Sequence, residues 1–114
     1  MPKSKKRKKL NSRVKGAEGE LELSHFLKFH GFAASRGQQH SGSPDSPDVK
    51  CPELDWVHFE CKRVETGSLY KWLEQAKRDA GVDKIPVVAH RKNYENWVAV
   101  LPLAILLELF HKVR

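Results

Sequence analysis

Leu69, Trp72, Leu73, Ala76 and Ala80 recur at the spacing of one helical stripe, and short apolar runs of strand character stand on both sides of them, over residues 56–62 and 85–90. A single apolar stripe is buried only against another element, so a helix set between strands is expected to lie on a sheet. At 114 residues the chain has room for one domain with one modest core.

The remaining elements read around this frame. Leu23, Phe26, Leu27 and His30 fall at i, i+3, i+4 and i+7, which predicts a first helix over 16–30 capped by Gly31. A short strand is expected over 32–35. Residues 37–47 are rich in Gly, Ser, Gln and Pro and read as a loop. A second strand covers 48–50, Pro52 and Glu53 turn the chain, and the third covers 56–62. Two strands joined so closely are expected to pair antiparallel as a hairpin. After the helix over 68–80, which Gly81 ends, come strands over 85–90 and 97–101. A final helix opens at Pro102, where the missing N–H of proline costs nothing. The expected class is therefore α/β (α+β): a mixed central sheet with αβββαββα order and helices packed on it.

Composition narrows the partners. No apolar run reaches the roughly 20 residues of a membrane span. The longest, over 98–109, is interrupted by Pro102. The N-terminus opens on lysines with no apolar segment behind them, unlike a secretory signal, so a cytoplasmic protein that does not engage membranes is expected. Cys51 and Cys61 lie ten apart with no CxxC partner, which suits reduced thiols rather than a zinc site.

The net charge is +7, but it is unevenly placed. Lys3, Lys5, Lys6, Arg7, Lys8, Lys9, Arg13 and Lys15 precede every acid, which leaves 13 cations against 14 acids from Gly16 onward. Residues 1–14 therefore read as a disordered basic tail, and 15–114 as the folded domain. Lys5, Lys6, Arg7, Lys8 and Lys9 are candidate nucleic-acid contacts, binding phosphates without reading sequence. A solubility or targeting tail has the same composition.

Side chains alternate along a strand, so Trp56, His58, Glu60 and Lys62 share one face of the third strand. Glu60 and Lys62 then stand about 6–7 Å apart and point the same way. Asp48 lies on the neighbouring strand, and in the expected hairpin it converges with Glu60. Two carboxylates and the Cys61 carbonyl make a donor set for Mg²⁺, which takes one or two protein carboxylates and keeps several waters. Such an ion activates water and neutralises charge on a phosphodiester, with Lys62 beside it. A solvated strand face carries the same Glu-x-Lys pattern. Glu20 lies three and seven residues before Leu23 and Leu27, on the stripe facing the core, where an acid needs a metal, its water shell or a cation. His40 and His58 are poor candidates for a general base: His40 is in the loop, and His58 is expected to pack with Trp56. Trp56, Trp72 and Trp97 read as core or interface.

Taken in order, Lys15-Gly16-Ala17-Glu18-Gly19-Glu20, Arg36-Gly37-Gln38, Pro47-Asp48-Val49, Glu60-Cys61-Lys62 and Gln75-Ala76-Lys77-Arg78 resemble the PD-(D/E)XK nuclease superfamily. Within it, the likeness is to Holliday-junction-resolvase-like enzymes, the archaeal resolvases and the small endonucleases of phages and prophages. The resemblance covers Lys15 to about Val100 and implies a restriction-endonuclease-like core. It implies that Glu20, Asp48 and Glu60 are the acidic metal-site positions, Lys62 the catalytic lysine, and Arg36 a basic residue near the scissile phosphate. Leu21 stands where the archaeal enzymes carry an arginine. Gln75, flanked by Lys71 and Arg78, suits plain solvated surface. The resemblance instead sets it along the active site, with Lys71 and Arg78 as DNA contacts.

The function expected is a Mg²⁺- or Mn²⁺-dependent DNA endonuclease with no small-molecule cofactor, acting on branched or duplex DNA and selective for structures such as four-way junctions. A nickase or flap nuclease would carry the same residues, and a non-catalytic nucleic-acid-binding module is the alternative class. The resemblance implies a homodimer. The segment from Leu103 to Phe110, apolar nearly all round, offers surface for one.

Overall fold

A computed structural model of the chain describes residues 12–37 and 48–113. The expected loop over 37–47 falls almost wholly outside the described residues, as do His40 and the cations Lys5, Lys6, Arg7, Lys8 and Lys9. The architecture is α+β. Helix α1 spans Ser12–Phe29, strands β1 and β2 are Ser35–Arg36 and Val49–Lys50, and a 3₁₀ turn spans Pro52–Leu54. Strand β3 is Val57–Arg63, helix α2 Leu69–Ala80, strands β4 and β5 Ile85–Arg91 and Val98–Val100, and helix α3 Leu103–Lys112. Among the described residues no helix is long and apolar enough to cross a membrane.

Two sheets form instead of one. β3, β4 and β5 make a mixed three-stranded sheet with β4 in the middle. β3 and β4 run parallel, with Glu60 opposite Val88 and Lys62 opposite His90, because α2 carries the chain back across the sheet between them. β5 returns antiparallel after a short turn in which Tyr94 takes φ 67°. The hairpin expected between β2 and β3 does not form. β2 pairs antiparallel with β1, with Arg36 opposite Val49. The 3₁₀ turn intervenes, and Pro52 at its start has no N–H to give a ladder.

The parallel register sorts side chains to two faces. Phe59, Cys61 and Ala89 face α1, where Leu23, Ala34, Val49, Cys51 and Ala89 form the core. Leu23 is 2% exposed, a burial that contributes about 1.5–3 kcal/mol. His58, Glu60, Val88 and His90 face α2, whose Trp72 ring packs tilted against His90 with centroids 4.8 Å apart. Ser68 caps α2 by accepting from the Lys71 N–H. Gly67 precedes it because a side chain there would run into the Trp72 indole. Helix α1 approaches β3 closely at Gly19, where a Cβ would stand 2.6 Å from the Arg63 Cβ. Glu22 fastens the same helix, accepting from Arg63 Nε at 3.0 Å and from Arg91 Nη1.

α3 lies differently. Leu103, Leu107 and Phe110 fall at i, i+4 and i+7 and are 66%, 50% and 57% exposed, whereas Ile105, Leu106 and Leu109 are half-buried.

Candidate active site at the open edge of β3

β3 pairs with β4 along one edge only, so alternate backbone N–H groups along its other edge need acceptors from elsewhere. Cys61 finds one in a side chain: its N–H donates to Asp48 Oδ2 at 2.9 Å. Asp48 stands immediately before β2, and its carbonyl accepts from Gly37 N–H at 2.9 Å, which ties it to the end of β1. Sequence alone brings Asp48 to β3 through a hairpin. The molecule brings it there by one carboxylate acting in place of a ladder.

Burial, and then the negative charge of Glu60, push the Asp48 carboxyl up to about 6, against the lowering pull of the Cys61 N–H. The charge of Glu20 adds to the rise. Glu20 on α1, Asp48 just before β2 and Glu60 on β3 therefore act on one another electrostatically around the half-buried Asp48 carboxylate. Glu20 itself accepts from Arg36 Nε at 2.9 Å, so two residues expected at the site are paired across α1 and β1. The Glu20 side chain is 13% exposed and that of Arg36 47%, which leaves the guanidinium open to solvent.

Glu60 is 3% exposed and faces α2. His58 Nε2 lies 3.2 Å from its Oε1, and Lys62 Nζ 3.7 Å from its Oε2. Asp79 on α2 stands beside it, with a carboxyl oxygen within 4.8 Å, and burial followed by the Glu60 charge raises the Asp79 carboxyl. Among the described residues, His58, Glu60 and Asp79 are the three whose ligand atoms all lie within 4.8 Å of one another. Glu20, Asp48 and Glu60 do not draw together as closely. His58 is 3% exposed and turns its ring nitrogen to Glu60, while Trp56 on the same face is 45% exposed.

Lys62 donates from Nζ to Gln75 Oε1 at 3.1 Å. Gln75 thus turns toward the Glu-x-Lys strand, and Lys71 and Arg78, at i−4 and i+3 from it, continue the same face of α2. Both are exposed, and with Tyr70 and Glu74 they line a shallow cavity of about 400 Å³. Cys51 and Cys61 are free thiols. Burial, then the charge of Asp48, pushes the Cys61 thiol up to about 12, too high for a nucleophile.

Asp79 went unread in the sequence. Its only signal is its place four residues after Gln75, on the helix face that meets β3.

Oxygen donors and mutually repelling carboxylates suit a hard dication. The raised Asp48 carboxyl is the observation to which such an ion answers. Comparison of the chain with protein-family models, with curated proteins and with solved structures finds no match.

Proposed function

We propose that the chain is a metal-dependent DNA endonuclease of the PD-(D/E)XK type, structure-selective in the manner of Holliday junction resolvases. The observation that carries this reading is the coupling of Asp48 and Glu60. Glu60 charge helps lift the Asp48 carboxyl to about 6, while Lys62 Nζ stands 3.7 Å from Glu60. An α+β fold with three helices and a mixed three-stranded sheet supports a restriction-endonuclease-like core.

In this reading Asp48, Glu60 and the Cys61 carbonyl would hold Mg²⁺ or Mn²⁺, and Glu20 would reach its water shell. A bound ion supplies an activated water and neutralises charge developing on the phosphodiester. Lys62, held by Gln75, orients the attacking water and donates to the phosphate oxygens as charge builds on them. The water oxygen bonds to phosphorus as one of its protons passes to solvent, the bond to the leaving oxygen breaks, and that oxygen takes a proton from solvent. Arg36, Lys71 and Arg78 hold the DNA backbone on either side, and the basic tail adds affinity that does not depend on sequence.

A junction offers two symmetry-related strands, and one small domain carries one such site. Paired cuts need two copies at fixed separation, which a closed two-fold pair supplies. The exposed stripe of Leu103, Leu107 and Phe110 supports a second copy as the partner.

The burial of Glu60 favours a second reading, a non-catalytic DNA-binding module whose acids serve the fold. A cleavage panel of junction, flap, nicked and linear DNA, with Mg²⁺ and with EDTA, separates the two. Cutting that requires Mg²⁺ and favours the junction supports the proposal. Binding without cutting on every substrate, in Mg²⁺ and in Mn²⁺, overturns it.

A further inference from the structure

We propose that His58 and Asp79 are positioning residues, which together fix the carboxylate of Glu60 for metal binding. The inference rests on the nuclease reading and adds two residues to it. Glu60 is the site residue with the least solvent, and its backbone is fixed opposite Val88, which is 0% exposed. Backbone position alone does not orient a glutamate, whose several rotatable bonds carry considerable rotamer freedom. Two neighbours from different elements remove that freedom. His58 comes from the same face of β3, two residues back, with Nε2 3.2 Å from Oε1. Asp79 comes from the last turn of α2 and brings a carboxyl oxygen within 4.8 Å of the Glu60 carboxylate. The three side chains lie within 4.8 Å of one another, and α2 closes over them.

Ser68 at its start and Gly81 at its end bound α2, and its buried Ala76 and Ala80 seat it near the strands, so Asp79 is delivered by a rigid element. Lys62 is held on the same helix through Gln75. One helix thus positions both members of the Glu-x-Lys pair, Glu60 through Asp79 and Lys62 through Gln75. Residues that orient a ligating carboxylate without touching the ion commonly change metal affinity or activity by about 10–100-fold when lost.

The test compares Asp79→Ala, Asp79→Asn and His58→Gln in the full-length protein. Calorimetry reads Mn²⁺ affinity without DNA, and cleavage reads the half-saturating Mg²⁺ concentration. Junction affinity in EDTA and the thermal midpoint report folding. Asp79→Ala is expected to weaken Mn²⁺ binding and raise half-saturating Mg²⁺ by at least about 10-fold, with junction affinity in EDTA unchanged. Asp79→Asn, whose amide N–H can donate to Glu60 from the same place, is expected to restore most of that loss. His58→Gln, which also keeps a donor, is expected to behave like Asp79→Asn. Unchanged Mn²⁺ affinity in Asp79→Ala, or a loss in Asp79→Asn as deep as in Asp79→Ala, overturns the inference while the nuclease reading stands. A wild-type protein that neither binds Mn²⁺ nor cuts DNA overturns both.

Discussion

Asp48 and Cys61 are joined by one hydrogen bond, carboxylate to backbone N–H at 2.9 Å, and through it an acid beside the two-stranded sheet closes the open edge of the three-stranded one. The same bond holds Asp48 where the charge of Glu60 reaches it. A structural contact and a candidate metal ligand are thus one side chain, and the two roles respond differently to substitution.

Asp48→Asn keeps an oxygen that accepts from Cys61 but removes a metal-binding charge. Cleavage is expected to fall by more than the roughly 100-fold that loss of a supporting residue costs, and Glu60→Ala to do the same. DNA affinity in EDTA is expected to hold or rise, because a repelling acid is gone. Matched cleavage and gel-shift assays read both quantities, and wild-type cleavage rates in both variants would refute the assignment.

The raised Asp48 carboxyl has a consequence for stability. Its folded-state pKa of about 6 lies above the ordinary carboxylate value of 3.8, so between these values the folded protein binds more protons than the unfolded chain. Metal-free stability is therefore expected to increase as pH falls from 7 toward 4, by on the order of 2 kcal/mol from this group. Asp79, also raised, contributes in the same direction. Asp48→Asn is expected to be more stable than wild type at pH 7 and to lose most of this gain on acidification. Urea denaturation at pH 7 and pH 5, in EDTA, measures it. A wild-type protein that loses stability on this path, with Asp48→Asn unchanged relative to it, contradicts the prediction.

Deleting residues 1–11 removes six cations, Lys3, Lys5, Lys6, Arg7, Lys8 and Lys9. Binding is expected to weaken for every DNA shape, with the log–log salt slope on duplex falling by about 0.9 for each phosphate that the tail no longer neutralises. Titration across a salt series checks this, and an unchanged slope would assign the tail another role.

On α3, Leu107 is 50% exposed and Leu106 half-buried. Leu107→Glu is expected to give a monomer with a near wild-type thermal midpoint. Leu106→Glu is expected to lower the midpoint instead, because it sets a charge against the packed side of the helix. Sedimentation equilibrium at micromolar protein, beside thermal melts, distinguishes the two, and a wild-type monomer active on junctions would remove the dimer proposal.

What the sequence determined alone is what neighbouring residues settle. The stripe from Leu69 to Ala80 located α2 because helical periodicity is imposed by backbone geometry over a few turns, and Gly81, at φ 67°, ends that helix where the sequence places its end. Alternation along β3 put His58, Glu60 and Lys62 on one face for the same reason. Helix α1 begins at Ser12, ahead of the expected residue 16, where the sequence shows charge without an apolar stripe.

Tertiary structure decided the partners. That β2 joins β1 and not β3, that Glu20 meets Arg36, and that Asp79 reaches Glu60 depend on residues well separated along the chain, which no local period encodes. A carboxylate in sequence is a charge of unspecified partner. Folding gives Asp48 the Cys61 N–H, and the desolvation that comes with that place, together with the charge of Glu60, makes its proton affinity unusual.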